Sequence, residues 1–269
     1  MRIYFTKMHG AGNDYIYVDA TGGKVFDMLY LAKKLSDRHF SIGGDGVVFI
    51  CDSRTADVRM RMFNADGSEG KMCGNASRCI AKYVYEKGLV KKPVITLETL
   101  SGTKVLNLTV ENDTVTQVTV DMSAPELEPN KIPCKDTVYN LNDMQFYCVS
   151  MGNPHAVTVV QDVYNYDIEK TATILQKDSF FPESVNVEFA QIIDRKNVIM
   201  RVYERGSGET LACGTGACAT VVALAHQGLI DMGEVTVTLL GGVLKINYTG
   251  GNVLMTGGAE ISFEGYVEV

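Results

Sequence analysis

The sequence has no cluster of lysine and arginine: its 25 basic residues are outnumbered by 32 acidic ones, for a formal net charge of −7. A nucleic-acid binder carries a basic patch to meet phosphate charge, so that class of partner is not expected. No apolar run, such as that at 46–51, approaches the ~20 residues a membrane-spanning helix needs. The beginning, Met1-Arg2-Ile3-Tyr4-Phe5-Thr6-Lys7, lacks the apolar stretch of a signal peptide, which points to the cytoplasm. Low-complexity segments are missing too. The seven cysteines are an odd number in a long chain, and read as reduced thiols rather than a disulfide framework.

What is present is a chain of 269 residues with 46% hydrophobic content, enough for two ordinary domains. An internal repeat supports that division. A shift of 140 residues places Gly12-Asn13 on Gly152-Asn153, Val58-Arg59-Met60-Arg61 on Val198-Ile199-Met200-Arg201, and Phe63 on Tyr203. The same shift places Cys73-Gly74-Asn75 on Cys213-Gly214-Thr215, Lys87-Gly88-Leu89-Val90 on Gln227-Gly228-Leu229-Ile230, and Ile95-Thr96-Leu97 on Val235-Thr236-Val237. One offset without gaps over about a hundred residues is the mark of duplication. Two copies of one unit normally pack about a pseudo-twofold axis, where matched residues meet.

Alternating or β-branched runs at 58–63, 94–97, 105–110, 115–120, 156–160, 198–203, 235–239 and 253–256 read as strands. Asn112-Asp113, Gly241-Gly242 and Gly250-Gly251-Asn252 suit the turns between them. Helical spacing appears at 27–39, and two further helices start just after the matched cysteines, at about 75–87 and 216–227. The expected fold is α+β, with two pseudo-symmetric halves, each a curved and mostly antiparallel sheet wrapped around a central helix, and an active site at the seam. Residues 1–121 form the first half, joined by the terminal strand 260–269, and residues 122–259 form the second. The segment 122–135, with Pro125, Pro129 and Pro133, is the connection.

Each matched cysteine stands at a strand-to-helix turn and is followed by glycine. A helix N-terminus is expected to lower a thiol pKa toward neutrality, and its N–H groups can hold a carboxylate. Two such turns brought together put one sulfur on either face of an α-carbon, the arrangement for two-base racemisation. Cys51, Cys79, Cys134, Cys148 and Cys218 read as small core residues. A zinc site from Cys73, Cys79, Cys213 and Cys218 is disfavoured, because separations of six and five residues put the second partner inside a helix. A cysteine hydrolase needs one nucleophile, not a matched pair. Gly206-Ser207-Gly208-Glu209-Thr210 lacks the Lys-Ser/Thr end of a phosphate loop, and Gly10-Ala11-Gly12-Asn13 lacks the third glycine of a dinucleotide fingerprint. Neither implies a cofactor.

Five ordered motifs carry a family resemblance: Met8-His9-Gly10-Ala11-Gly12-Asn13-Asp14, Phe63-Asn64-Ala65-Asp66-Gly67-Ser68, Met72-Cys73-Gly74-Asn75, Gly152-Asn153-Pro154-His155, and Glu204-Arg205-Gly206 through Cys213-Gly214-Thr215-Gly216. Together they resemble diaminopimelate epimerase, from Lys7 to the terminal strand. The resemblance implies a pyridoxal-independent, metal-free isomerase, usually a homodimer, that interconverts LL- and meso-diaminopimelate in lysine and peptidoglycan-precursor synthesis. It implies that Cys73 and Cys213 are the catalytic pair and that His155 and Glu204 help the thiols exchange protons. Gly74, Asn75, Gly214 and Thr215 match the cradle of the reacting carboxylate. Asn13, Asn64, Asn153, Asn186, Glu204 and Arg205 match positions that hold the distal end, where the planar fork of an arginine suits a carboxylate.

Two departures stand out. Ala76-Ser77 follows the first motif where the family commonly has glycine and a large apolar residue, and Gly46 stands where some members place a ligand-touching glutamine. The rival readings are an epimerase for proline, hydroxyproline or histidine, an isomerase of the phenazine-biosynthesis type, or a non-catalytic amino-acid-binding module. Arg205 and the asparagines favour a substrate with a second zwitterionic end. Retention of both thiols favours catalysis.

Overall fold

The computed structural model describes residues 2–269, which divide into two units: 2–120 with 257–269, and 121–256. In the first unit the order is β1 (Arg2–Gly10), β2 (Asn13–Ala20), α1 (Met28–Leu35), β3 (Gly46–Cys51), β4 (Val58–Asn64), β5 (Glu69–Gly70), α2 (Gly74–Glu86), β6 (Val94–Thr99), β7 (Gly102–Glu111) and β8 (Thr114–Asp121). The second unit follows with β9 (Val138–Leu141), β10 (Met144–Ser150), β11 (Pro154–Val159), α3 (Ile168–Lys177), β12 (Asn186–Asp194), β13 (Asn197–Glu204), β14 (Gly208–Thr210), α4 (Gly214–His226), β15 (Gly233–Leu239), β16 (Gly242–Tyr248) and β17 (Val253–Gly257). The last strand, β18 (Glu260–Glu268), pairs antiparallel with β1 in the first unit.

Both units use one pairing scheme. Each is mostly antiparallel with two parallel joints, β2 with β3 and β4 with β6 in the first, β11 with β12 and β13 with β15 in the second. Even the register agrees: Tyr15 faces Gly46 in one parallel joint and His155 faces Asn186 in the other, both pairs separated by the 140-residue offset.

The central helices begin where the sequence pattern places them. In α2 every residue from Gly74 to Val84 is buried, and in α4 only Thr215 and the last residue escape full burial up to Ala225. The all-round apolar run Val221-Val222-Ala223-Leu224-Ala225 explains the second case, since a helix without a polar face is stable only when covered on every side. Gly88 and Gly228, at φ +73° and +68°, take the left-handed conformation that stops each helix.

Two local readings differ from the structure. The first helix ends at Leu35 with Ser36 as its C-cap instead of running to 39, because Asp37 turns back to receive the His39 and Phe40 N–H groups. The helix α3 has no counterpart among the sequence expectations, although Asp167 caps it by accepting from the Lys170 N–H. Only Ile168, Ala172 and Leu175 of α3 are buried, a narrow stripe that packs on the Phe146, Phe181 and Phe189 cluster. Among the described residues no helix is long and apolar enough to cross a membrane.

Candidate active site

In the first unit the approach to Cys73 is a hairpin. Arg61 on β4 grips Glu69 on β5 through Nε at 2.7 Å and Nη2 at 2.9 Å, a bidentate pair that fixes the strand leading to the thiol. Within that hairpin Asn64 accepts from the Tyr15 hydroxyl at 3.4 Å and donates to Ser68 Oγ at 3.0 Å. Cys73 is the N-cap of α2, with extended backbone, and its Sγ accepts from the Ala76 N–H at 3.5 Å. The thiol in turn points at Asn13 Oδ1, 3.4 Å away. The first helical turn, Gly74 and Asn75, is buried beside it.

Asn13 is itself held. Its Nδ2 donates to Asp45 Oδ2 at 2.8 Å, which leaves Oδ1 for the thiol. Asp45 and Asp14 share Arg38, at 2.9 and 2.7 Å, and Asp14 also meets Lys7 at 2.6 Å. Burial, with the nearby negative charge of Asp14 second, pushes the Asp45 carboxyl up. For Asp14 burial works the same way, but hydrogen bonds from Arg38 and Lys7 outweigh it and hold the carboxyl below the usual range.

The second unit repeats the frame with different chemistry inside it. Arg201 grips Glu209 at 2.7 and 3.0 Å, again one offset from its counterpart. Cys213 is the N-cap of α4, its Sγ accepting from the Gly216 N–H at 3.4 Å, with Thr215 Oγ1 also at 3.4 Å. Where the first unit has Tyr15 and Asn64, this one has His155 and Glu204. His155 is fully buried on β11, its Nε2 3.1 Å from Asn153 Oδ1 and its Nδ1 2.6 Å from Glu188 Oε1. Glu204 accepts from the Thr210 hydroxyl, and burial pushes its carboxyl up.

Asn186 donates to the Pro154 carbonyl at 2.9 Å and accepts from the Arg205 backbone N–H at 3.0 Å. The Arg205 side chain is exposed and donates through Nη1 to the Glu183 carbonyl at 2.6 Å. The structure thus groups Asn13, Gly74 and Asn75 with Cys73 in the first unit, and ties Asn64 to Tyr15 and Ser68 in the hairpin before it. In the second, Glu204, Gly214 and Thr215 adjoin Cys213, His155 bridges Asn153 and Glu188, and Asn186 bonds the Arg205 backbone.

One electrostatic expectation is corrected. The Cys213 thiol is pushed well up, not lowered: burial is the largest cause, and the negative charges of Glu204 and Glu188 add to it. The helix end opposes this through the Gly216 N–H, but a partial charge at a helix terminus is outweighed by desolvation and two carboxylates. Burial also raises Cys51 and Cys134, takes Cys79 up to about 11, and raises Cys148 further.

Two acidic residues escaped the sequence reading. Asp45 sits in a glycine loop that matched no acid motif. Glu188 had a visible signal, a single acid in the otherwise apolar strand Val187 to Ala190, since glutamate is almost never fully buried unless paired.

The sequence profile of the family described as diaminopimelate epimerase matches residues 5–128 and 147–262. Among curated relatives, a diaminopimelate epimerase of Methanococcus maripaludis is 48% identical, covering 98% of this chain and 99% of its own. One of Acetivibrio thermocellus is 49% identical, covering 98% of each chain. Among solved structures, a phenazine biosynthesis protein of the PhzF family from Bacillus anthracis aligns at TM-score 0.75 and 18% identity over 100% of both chains. A hydroxyproline epimerase from Agrobacterium vitis aligns at TM-score 0.71 and 14% identity, over 99% of this chain and 92% of that one. The latter two establish a shared two-domain α+β fold and no more.

Proposed function

Because the chain belongs to the diaminopimelate epimerase family, we propose that it epimerises LL-diaminopimelate to the meso form with Cys73 and Cys213 as opposed acid and base. The observation that carries this is the pair of N-capping thiols, one per unit, at positions 140 residues apart. One sulfur, as thiolate, takes the α-proton. The electron pair left on the α-carbon delocalises into the carboxylate, whose growing charge is met by helix-end N–H groups of Gly74-Asn75 and Gly214-Thr215. The opposite thiol then delivers its proton to the other face, and the two sulfurs have exchanged states. No cofactor or metal takes part in this reading.

Glu204, which hydrogen-bonds Cys213, and His155 beside it help the thiols exchange their protons between turnovers. Asn13, positioned by Asp45, does the corresponding service of orienting Cys73. Asn64, Asn153, Asn186 and Arg205 read the distal amino-acid end. A cytoplasmic homodimer serving lysine synthesis is part of the same proposal, and size-exclusion chromatography measures the assembly.

The test is turnover in D2O. LL-diaminopimelate should acquire deuterium at one α-carbon as it becomes the meso isomer, with no added cofactor. Cys73→Ala and Cys213→Ala should each lose turnover by roughly a thousandfold or more. Epimerisation at the wild-type rate by either variant refutes the two-thiol mechanism.

A further inference from the structure

The repeat exposes one difference between the units that the proposed mechanism does not use. The 140-residue offset places Val48 at the position of Glu188 and Ala76 at the position of Gly216. The two differences belong together. A Cβ on Gly216 would stand 2.8 Å from Glu188 Oε1, and Gly216 is the residue whose N–H caps onto Cys213. The start of α4 therefore accommodates a carboxylate behind it only because residue 216 has no side chain.

Burying that carboxylate is unfavourable. Glu188 is fully buried, and its Oε2 has no hydrogen-bond partner among the described residues. A half-satisfied acid in an interior costs stability unless its other contact is strong. Its one strong contact is His155 Nδ1 at 2.6 Å. With a valine there, as at position 48, Nδ1 would be buried without a partner and the ring would have no fixed tautomer. With the glutamate, Nδ1 is engaged on one side and Nε2 faces Asn153 Oδ1 on the other, so both ring nitrogens are tied.

We propose that Glu188 is a positioning residue: seated in the space left by Gly216, it acts through His155 and holds that ring in one orientation, Nδ1 toward Glu188 and Nε2 toward Asn153, beside the Glu204 carboxyl that hydrogen-bonds Cys213. The inference rests on the two-thiol reading above. It also accounts for the asymmetry of the repeat, since the acid and its space are present only beside Cys213. The carboxylates of Glu188 and Glu204 give the thiol neighbours that favour its protonated form.

The experiment uses the intact chain with 15N-labelled histidine. Glu188→Gln keeps the shape and removes the charge. The expected result is an altered His155 ring spectrum, with the Nδ1 proton resonance moved upfield as its partner weakens. The kcat for diaminopimelate should fall by roughly tenfold or more, with KM little changed. Gly216→Ala is the second variant: it keeps Glu188 and its charge but displaces Oε1, and should give the same spectral change and the same kind of kcat loss. The double variant should be no worse than the poorer single, because both act through one contact. A folded Glu188→Gln or Gly216→Ala protein with wild-type kcat and an unchanged His155 spectrum overturns the proposal. Failure of the two-thiol reading shows up separately, as activity retained by Cys213→Ala, and the His155 spectrum still reports on Glu188 in that background.

Discussion

Replacing Arg205 with lysine separates charge from geometry at the end of the site proposed to hold the distal amino acid. Arg205 is placed by its backbone N–H on Asn186 Oδ1 at 3.0 Å, and its Nη1 is committed to the Glu183 carbonyl at 2.6 Å. That contact orients the guanidinium and leaves the Nε and Nη2 edge, the one that meets a carboxylate with two parallel hydrogen bonds. Lysine has a single ammonium. It cannot both hold the Glu183 carbonyl and present a planar fork, although its charge still attracts the substrate. A hydrogen bond to a charged group contributes about 1.5–3 kcal/mol. Losing one of two, with part of the charge term retained, leaves a deficit of about 1.4 kcal/mol or more, a tenfold fall in kcat/KM. Because the side chain is exposed, stability should change by no more than about 0.5 kcal/mol. The assay is steady-state epimerisation of LL-diaminopimelate, with iodoacetamide labelling of Cys73 and Cys213 as a control that should not move. A variant whose kcat/KM stays within roughly twofold of wild type removes Arg205 from the distal site.

Two further outcomes follow from the same structure. Glu204 has its carboxyl raised above the ordinary 4.5, first by burial; the unfolded chain therefore releases this proton more readily than the folded one, and stability falls as pH rises from about 4.5 through the raised value. Glu204→Gln should thus raise Tm at pH 7 while lowering kcat, and a calorimetric scan showing a lower Tm at neutral pH, with a normal one at pH 4, contradicts that reading. Gly46→Ala builds a Cβ 2.1 Å from the Phe63 carbonyl and 3.0 Å from Asn64 Cα, both backbone atoms of the facing strand. Overpacking against backbone should cost roughly 3 kcal/mol, about 6–12 °C in Tm for the unit, whereas Gly258→Ala, whose new Cβ would meet only Glu260 Oε1 at 3.8 Å, should leave Tm within a few degrees; equal melting of the two variants would refute the steric argument.

The amino-acid order by itself determined the α+β class, the start of both central helices and the identity of the two capping thiols. The reason is that these signals are local or strictly periodic: a cysteine before glycine at a strand-to-helix turn, an apolar run on every helix face, glycine where each helix stops, and one offset that recurs from residue 12 to residue 237. The helix α3 escaped because its apolar stripe is three residues wide, Ile168, Ala172 and Leu175, and so weak a period is decided by the aromatic cluster beneath it. Electrostatics was the larger gap. A helix terminus is visible in sequence, but whether it lowers a thiol depends on what else lies within a few ångströms, and Glu188 comes from a separate strand while Glu204, close in sequence, folds back against the thiol through the hairpin. Only the packing of β11, β12 and β13 against α4 brings His155, both glutamates and Cys213 together. Asp45 reaches Asn13, and Glu188 reaches His155, for the same reason: a hydrogen bond across parallel strands leaves no trace in the spacing of residues along one of them.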